Sequence, residues 1–277
     1  MTAFFKVSGS GNDFLALAEP ASIPPPERIR AWCRRGISLG ADGLFILRRA
    51  DGEVVMDYFN SDGLPADLCL NGTRCAAQLA FHLGWAKHEV QITTGAGRFN
   101  ALQFDLSSGQ RLIVLELPPP EIPQPVAPEV DGIAHAGMFL RVGVPHFVLV
   151  WPESLVTAPV YTLGRALRHH PLFPEGANVN FVRFPSPREM EIRTYERGVE
   201  GETLSCGSGI LAGVAAGLAL EKAQMGVGVI TRSGYELGVS LDRGTGRWVL
   251  TGDARVVARG ELFPEAEDTG DRWRFEP

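Results

Sequence analysis

The chain has 277 residues and a mass of 30.0 kDa, which favours two domains over one. Its content of 45% hydrophobic and 21% charged residues, with a mean hydropathy of +0.02, is typical of a globular protein and excludes a disordered or collagen-like chain. The net charge of −6 and the lack of a long apolar run or a basic block argue against a membrane span, a nucleic acid partner or an anionic membrane.

The first residues show no targeting signal. The segment MTAFFKVSGSGNDF has neither a long apolar core nor a small-residue cleavage site, so we expect a cytoplasmic protein. Four cysteines are too few for a disulfide scaffold, and we expect them as free thiols.

In chain order, the first half is predicted to contain five strands and two helices. Alternating and β-branched residues predict strands at Asp13–Ala18, Leu44–Leu47, Val54–Phe59, Val90–Thr93 and Leu112–Leu117. Helices are predicted at Pro26–Arg35, which is amphipathic, and at Arg74–Trp85, which is apolar around most of its circumference.

A proline-rich segment follows, with six prolines between Pro118 and Pro128. Proline excludes both a helix and a central strand, so this segment is predicted to be a linker. We therefore expect an N-terminal domain at 1–117, a linker at 118–130 and a C-terminal domain at 131–260.

The second half repeats this pattern. Strands are predicted at Phe139–Val142, Phe147–Val150, Val179–Phe184, Met190–Tyr195, Val227–Thr231, Trp248–Thr251 and Ala254–Ala258. An amphipathic helix is expected at Thr162–His169 and an apolar one at Ile210–Lys222. A helix that is apolar on all sides must be enclosed, so each half is predicted to be α+β, with mostly antiparallel strands curled around one central helix.

Short matches between the halves indicate a duplicated domain. GADGLFIL at 40–47 resembles GANVNFVR at 176–183, an offset of 136, and MDYFN at 56–60 matches IRTYE at 192–196 with the same offset. Cys69 then corresponds to Cys206 at an offset of 137. Such a duplication predicts a pseudo-twofold relation between the halves, with a ligand at their interface.

Cys69 and Cys206 each precede an enclosed helix. A helix N-terminus supplies backbone N–H groups and a positive dipole end, which favour a thiolate and can seat a carboxylate. Two such thiols facing one another could remove a proton from carbon on one side and return one on the other. Cys33 and Cys75 are expected to be packing residues.

Other chemistries have little support. The cysteine spacing and the lack of a His/Cys cluster argue against a metal site. The three lysines, Lys6, Lys87 and Lys222, lie in no recognisable pyridoxal setting, and the glycines at 9–11 precede a strand rather than a helix. We expect cofactor-free chemistry on a small anionic substrate.

An ordered set of motifs across nearly the whole chain resembles the diaminopimelate epimerase family. The motifs are GSGNDF at 9–14, GADG at 40–43, FNSDG at 59–63, CLNGTRC at 69–75, Pro-His at 145–146, GANVNF at 176–181, YERG at 195–198 and ETLSCGSG at 202–209. The resemblance implies a pyridoxal-independent epimerase of two pseudo-symmetric domains that acts on diaminopimelate in lysine and peptidoglycan-precursor biosynthesis. It also implies that the C-terminal tail, about 261–277, packs on the first domain.

The resemblance also implies roles for particular residues. Cys69 and Cys206 would be the acid–base pair, assisted by His146 and Glu196. The distal end of the substrate would be held by Asn12, Asn60, Asn178 and Arg197, with Glu196 also at the binding site, and the α-carboxylate by backbone amides at Leu70, Asn71, Gly207 and Ser208. The family further suggests a homodimer.

Two departures from the family pattern leave alternatives open. Leu70 stands where the family usually has glycine, and Val144 stands where many members have asparagine. A racemase of another basic amino acid, such as histidine or ornithine, or a non-catalytic amino-acid-binding relative would also fit. His146 could instead be a satisfied strand-end histidine, Glu196 and Arg197 a solvated charge pair, and the two cysteines a redox pair.

Overall fold

The computed structural model describes residues 2–50, 52–107 and 109–267. Its strands are β1 (Thr2–Gly9), β2 (Asn12–Ala18), β3 (Gly43–Ala50), β4 (Glu53–Asn60), β5 (Pro65–Ala66), β6 (Glu89–Thr94), β7 (Gly97–Asp105), β8 (Arg111–Leu117), β9 (Gln124–Val126), β10 (Glu129–Val130), β11 (Ile133–Ala134), β12 (Gly137–Val142), β13 (Val144–Val150), β14 (Asn178–Ser186), β15 (Glu189–Glu196), β16 (Gly201–Thr203), β17 (Val227–Ile230), β18 (Glu236–Leu241), β19 (Trp248–Asp253) and β20 (Arg255–Leu262). The α-helices are α1 (Pro26–Cys33), α2 (Leu70–His82), α3 (Thr162–Arg168) and α4 (Gly207–Ala219), with 3₁₀ turns at Leu155–Thr157 and Pro264–Glu267.

The chain divides into two compact units. The first combines Met1–Ile113 with Asp253–Pro277, and the second runs without interruption from Val114 to Gly252. The boundaries between the units therefore follow residues 113 and 252, whereas the sequence predicted domain ends at 117 and 260.

Both units use one strand-pairing scheme. In the first, β1 pairs antiparallel with β2, β2 parallel with β3, β3 antiparallel with β4, β4 parallel with β6, and β6 antiparallel with β7. The second repeats these steps in the same order with β12, β13, β14, β15, β17 and β18. Even the short additions correspond, because β5 pairs with β4 and β16 with β15. The predicted α+β class with two pseudo-symmetric halves is confirmed.

A buried helix lies within the strands of each unit. Helix α2 packs against β1, β2, β3, β4, β6, β7 and β20, and α4 packs against β12, β13, β14 and β15. Every residue from Leu70 to Ala80 is buried, as are all from Gly207 to Gly217 except Ser208. Strands on several sides enclose these helices, which explains why α4 is apolar all round and why the polar residues of α2, such as Asn71, Arg74 and Gln78, are buried.

The two central helices begin earlier than predicted. Helix α2 starts at Leu70 rather than Arg74, and α4 starts at Gly207 rather than Ile210. The first turn of each helix consists largely of polar and small residues, which an apolar pattern does not register. Both helices also end three residues earlier than predicted, and α2 is followed by Gly84 with φ of +72° in a left-handed turn.

The segment expected to be a linker belongs to the second unit. Strand β9 pairs with β12, β10 pairs with β11, and Glu121 N donates to Arg141 O at 3.2 Å. Proline lacks a backbone donor but is tolerated at the edge of a sheet, so the segment with Pro125 can still form β9. The expected linker at 118–130 is corrected to a peripheral part of that unit.

The last strand, β20, was expected in the C-terminal domain but belongs to the first unit. It pairs antiparallel with β1 from Thr2 opposite Leu262 to Ser8 opposite Arg255. Leu262 is buried in a core with Phe4, Ile29 and Trp32, and Ser38 Oγ donates to Ala266 O at 3.0 Å. The part of the expected packing tail at 261–267 thus lies on the first unit, and 268–277 lie outside the described residues.

Strands β1, β7 and β18 and the short strands β5, β9, β10, β11 and β16 were not expected from the sequence. Apolar alternation is interrupted in several of them, as at Lys6 in β1. Pairing with neighbouring strands, such as β1 with β2 and β20, stabilises such a segment where its own pattern is weak. In the described part of the chain, no helix is long and apolar enough to cross a membrane.

Candidate active site

Cys69 is the N-cap residue of α2. Its backbone is extended, with φ of −142°, and Gly72 N donates to its Sγ at 3.4 Å. Thr73 N donates to Cys69 O at 2.7 Å. Leu70 and Asn71 are the first two residues of the helix, so their backbone N–H groups lie at its N-terminus. A sulfur at this position lies at the positive end of the helix dipole, which favours the thiolate.

Cys206 occupies the corresponding position on α4. Its φ is −126°, Ile210 N donates to its carbonyl oxygen at 2.9 Å, and its Sγ lies 3.5 Å from Ser208 Oγ. The residue is only 7% exposed, whereas Cys69 is partly exposed. Gly207 and Ser208 begin the helix as Leu70 and Asn71 begin α2. Each unit therefore carries one thiol at the start of its enclosed helix.

The other two cysteines have different surroundings. Cys33 is buried in α1, and burial raises the pKa of its thiol to about 12. Cys75 is fully buried inside α2, where burial likewise raises its pKa. Neither thiol is at a helix start, and both remain protonated at neutral pH.

In the first unit, two of the predicted binding residues are in direct contact. Asn71 Nδ2 donates to Asn12 Oδ1 at 2.6 Å, which joins the start of α2 to the start of β2. Asn60 is the last residue of β4, where it is paired with Gly43, and its carbonyl oxygen accepts from Gly63 N at 2.9 Å. The hydrogen bonds of Asn60 thus involve a turn rather than Asn12 and Asn71.

In the second unit, Asn178, Glu196 and Arg197 lie close together. Asn178 Oδ1 accepts from Arg197 N at 2.7 Å, so the start of β14 is fixed to the end of β15. Arg197 Nη1 donates to Glu175 O at 3.2 Å, and Thr203 Oγ1 donates to Glu196 Oε2 at 2.7 Å. These three predicted residues are therefore held in one place by backbone and side-chain hydrogen bonds.

His146 is fully buried on β13 beside Asn180. Asn180 Nδ2 lies 3.2 Å from His146 Nδ1. Since the amide nitrogen can only donate, Nδ1 must accept and the proton must lie on Nε2. That Nε2 is buried and has no hydrogen-bond partner among the described residues. Burial, with a smaller contribution from the charge of Arg197, lowers the pKa of His146 to about 3, so the ring is neutral at physiological pH.

Asn180, which was not among the residues expected from the sequence, lies beside His146. It is fully buried, its Oδ1 accepts from Thr194 Oγ1 at 3.0 Å, and a Cβ on Gly209 in the first turn of α4 would collide with it. Asn180 thus joins His146 to the start of the Cys206 helix. The motif Asn-Val-Asn contained the signal, because residues two apart in a strand share a face.

Among the described residues, no group of three His, Cys, Asp or Glu side chains could hold a metal ion. In each unit, a cysteine thiol and the first backbone amides of a helix lie together at the N-terminus of that helix. Amides at a helix N-terminus can bind a carboxylate, and a thiol beside that carboxylate can exchange a proton with the adjacent carbon.

Comparison with known proteins gives one consistent family. The diaminopimelate epimerase family profile matches residues 4–105 and 138–257. A diaminopimelate epimerase of Aquifex aeolicus is 36% identical over 280 residues, covering 95% of this chain and 98% of that protein. One from Archaeoglobus fulgidus is 36% identical over 276 residues, covering 94% and 96%.

Solved structures share the fold at low identity. A Bacillus anthracis protein of the PhzF phenazine-biosynthesis family superposes with a TM-score of 0.75 at 15% identity, covering 95% of this chain and 99% of that one. A probable proline racemase from Agrobacterium radiobacter K84 gives 0.73 at 15% identity, covering 96% of both chains.

Proposed function

The chain belongs to the diaminopimelate epimerase family, and on that premise we propose that it interconverts LL- and meso-2,6-diaminopimelate with its own thiols as acid and base. The family membership confirms the resemblance inferred from the motifs and makes the protein an isomerase. The observation that carries the mechanism is the position of Cys69 and Cys206 as N-caps of corresponding helices. This position places both sulfurs at a helix N-terminus, where the helix dipole favours a thiolate.

In the proposed mechanism, the two cysteines act on opposite faces of one α-carbon. The thiolate of one cysteine removes the α-proton, forming an S–H bond and leaving the electron pair of the broken C–H bond on the carbanion. The thiol of the other cysteine then gives its proton to the opposite face and becomes the thiolate. The reverse reaction exchanges the two roles, as microscopic reversibility requires.

The helix N-termini would stabilise the charge that develops on the substrate. An α-proton beside a carboxylate is weakly acidic, so the barrier falls when donors already face the carboxylate oxygens. We assign that role to backbone amides of Leu70 and Asn71 on α2 and of Gly207 and Ser208 on α4. The distal end of the substrate is assigned to Asn12, Asn60, Asn178 and Arg197, with Glu196 beside them.

His146 and Glu196 are proposed to assist proton transfer. With a pKa of about 3, His146 is neutral at working pH, so its contribution is the Nε2–H group as a donor rather than a base. A buried donor without a protein partner is costly unless a ligand or thiolate satisfies it. Glu196 accepts from Thr203 Oγ1, which fixes one carboxylate oxygen and orients the other.

The test is proton exchange in deuterium oxide with LL-diaminopimelate. We expect deuterium at the α-carbon together with formation of the meso isomer. Cys69→Ser and Cys206→Ser should both abolish epimerisation, whereas Cys33→Ala, which changes a buried thiol away from both helix starts, should retain it. Absence of exchange with the wild-type protein would overturn the proposal.

A racemase of another basic amino acid is the second candidate, favoured by Leu70 and Val144. The same exchange experiment with histidine, ornithine and lysine separates the two, since only the true substrate exchanges its α-proton at a high rate. Saturable binding of an amino acid without exchange would instead indicate a non-catalytic relative. Activity that requires a reductant but consumes none would exclude a redox role for the cysteines.

Location and assembly are further parts of the proposal. We expect the protein to work in the cytoplasm as a homodimer on a small amino-acid substrate. Fractionation of cells expressing the protein tests the first expectation. Sedimentation equilibrium tests the second, because a dimer has twice the 30.0 kDa mass of the chain.

A further inference from the structure

A continuous chain of hydrogen bonds connects the start of the Cys69 helix to the surface of the first unit. Arg74 Nη2 donates to Asn71 Oδ1 at 2.8 Å, Asn71 Nδ2 donates to Asn12 Oδ1 at 2.6 Å, and Asn12 Nδ2 donates to Asp42 Oδ2 at 2.9 Å. The four residues come from α2, β2 and the segment before β3. We call this set the amide relay.

The two charged ends of the amide relay fix the orientation of both amides. A guanidinium has only donors, so the Asn71 atom that faces Arg74 must be the oxygen. The Asn71 nitrogen then faces Asn12, whose oxygen must accept, and the Asn12 nitrogen is left facing the Asp42 carboxylate. An ionised carboxylate only accepts, so both ends independently require the same orientation.

Arg74 is anchored from a second side. The residue is fully buried, and Nη2 also donates to Ser10 Oγ at 2.8 Å, while Ser10 N and Oγ both donate to Asp253 Oδ1 at 2.8 and 2.9 Å. Burying a guanidinium is costly unless its donors are used. Of its three nitrogens only Nη2 has acceptors, a hydroxyl and an amide oxygen, while Nε and Nη1 are buried without a hydrogen-bond partner among the described residues. The buried cation therefore orients neutral groups at a cost in desolvation.

The second unit has no equivalent arginine. Position 211 corresponds to position 74 at the offset of 137 that relates Cys206 to Cys69, and it is leucine. The amide relay is therefore not part of the duplicated scaffold. It lies where two assigned groups of the proposed function meet: Asn12, which binds the distal end of the substrate, and the backbone amide of Asn71, which binds the α-carboxylate.

We propose that Arg74 and Asp42 are positioning residues that hold the Asn12 amide in one orientation and thereby set the affinity for the distal end of the substrate. This inference rests on the proposed function. After its two relay bonds, Asn12 keeps one N–H and one oxygen lone pair at fixed places. These match a substrate end that carries both a carboxylate and an ammonium group. If the Asn12 amide were flipped, its N–H group would face the substrate ammonium and its oxygen would face the substrate carboxylate, and neither pair could form a hydrogen bond.

The test is steady-state kinetics with LL-diaminopimelate on variants at both ends. Because either end alone fixes the orientation, the decisive variant combines Asp42→Asn with Arg74→Gln, so that both ends can donate or accept. The Asn12 amide can then flip, and we expect KM to rise about tenfold while kcat changes less than about twofold. Each single variant keeps one end that fixes the orientation, so it should raise KM less than the double variant does. In the Asp42→Asn background, Arg74→Lys in place of Arg74→Gln keeps a donor-only cation and should restore KM toward the wild-type value.

Arg35→Gln is the matched control. Arg35 Nη2 donates to the other Asp42 oxygen at 2.8 Å, so its removal disturbs Asp42 without changing the amide relay, and KM should stay at the wild-type value. Wild-type KM in the double variant Asp42→Asn, Arg74→Gln would overturn the inference while the proposed function stands. No turnover of diaminopimelate by the wild type would overturn both. Equal loss of kcat and kcat/KM, with a lowered Tm, would indicate a merely structural role.

Discussion

The four cysteines show how strongly local surroundings decide what one residue type can do. Cys69 and Cys206 cap helices, whereas Cys33 and Cys75 lie within helices and are buried. The contrast could be predicted from the sequence, because Cys69 and Cys206 correspond to one another in the two repeated halves and the other two cysteines do not. Their hydrogen-bond partners could not, since Asn12 and Asn71 are 59 residues apart and meet only in the folded chain.

Alkylation should separate the cysteines. Cys69 is partly exposed at a helix N-terminus, so we expect iodoacetamide to modify it first and the less exposed Cys206 more slowly. Cys33 and Cys75 have raised thiol pKa values and should react only after unfolding. Peptide mass mapping over a time course measures this order. Modification of Cys75 in the folded protein at the rate of Cys69 would contradict it.

His146 should make stability depend on pH. Its pKa is lowered from 6.5 to about 3 in the folded protein, so between these values the unfolded chain binds a proton that the folded chain does not. The free energy of unfolding should therefore fall as pH falls from 6.5 toward 3, by up to about 1.4 kcal/mol per pH unit from this residue. Above pH 6.5 the contribution is constant.

Urea unfolding of the wild type and of His146→Gln at pH 7, 6, 5 and 4 tests this expectation. The difference in unfolding free energy between the two proteins removes the effects of other titrating groups. It should shift steadily in favour of the variant as pH falls. A difference that is constant across the range would show that His146 is not buried in its neutral form.

At the scale of elements, the first turn of α4 is tightly packed. Gly209 lies against Asn180, whose amide is held by Thr194 Oγ1 and by groups on β13 and β14. Gly213, one turn later, lies closest to the flexible end of Met190, with Cε 2.9 Å from the place of a Cβ, and Val182 Cγ1 is 3.2 Å from that place. The two glycines therefore differ in whether their neighbour can move.

Gly209→Ala should be damaging and Gly213→Ala mild. At position 209 we expect a loss of about 1–3 kcal/mol in unfolding free energy from overpacking, with a fall in activity because the helix start that carries Cys206 must shift. At position 213, Met190 can adjust and alanine gains up to about 1 kcal/mol in helix propensity. Urea midpoints and initial rates measure both. Equal effects would show that Asn180 does not constrain the helix start.

The elements themselves were largely predictable, and their ends were less so. Buried strands such as β3 and β14 carry strong apolar patterns. Helices α2 and α4 were recognisable because each contains a long run of mostly apolar residues. The helix starts were missed because the first turns, with Asn71 in one and Ser208 in the other, are not apolar. Asn180 shares a strand face with Asn178, but a single sequence does not show which polar residues of a strand are buried, so its role beside His146 was not predicted.

At the scale of the whole molecule, one pairing scheme occurs twice, with the chain entering and leaving through the first unit. The duplication was visible in short motifs at an offset of 136–137. The unit boundaries could not be predicted, because the prolines at 118–128 have the composition of a linker although this segment belongs to the second unit. The return of β20 to β1 is a long-range pairing that local patterns cannot reveal.

This return should contribute measurably to stability. Leu262 at the end of β20 is 5% exposed in the core of the first unit, and its neighbour Phe263 is 60% exposed. Leu262→Ala should lower the free energy of unfolding by about 3 kcal/mol, since it leaves a cavity. Phe263→Ala is the matched control and should change it by less than about 0.5 kcal/mol. Denaturant titration compares them, and equal effects would contradict the assignment of β20 to that core.

The pairing of β20 with β1 also has a consequence for the order in which the protein forms during synthesis. The second unit is built from one uninterrupted stretch, so all of its strands have been translated by residue 252. The first unit begins at the N-terminus but needs residues 255–262 to complete its sheet. Its edge along β1 therefore stays open while the entire other unit is made, so the half that is started first is finished last. Until then β1 exposes unpaired backbone groups, which makes that interval the time of greatest exposure to chaperones and to aggregation.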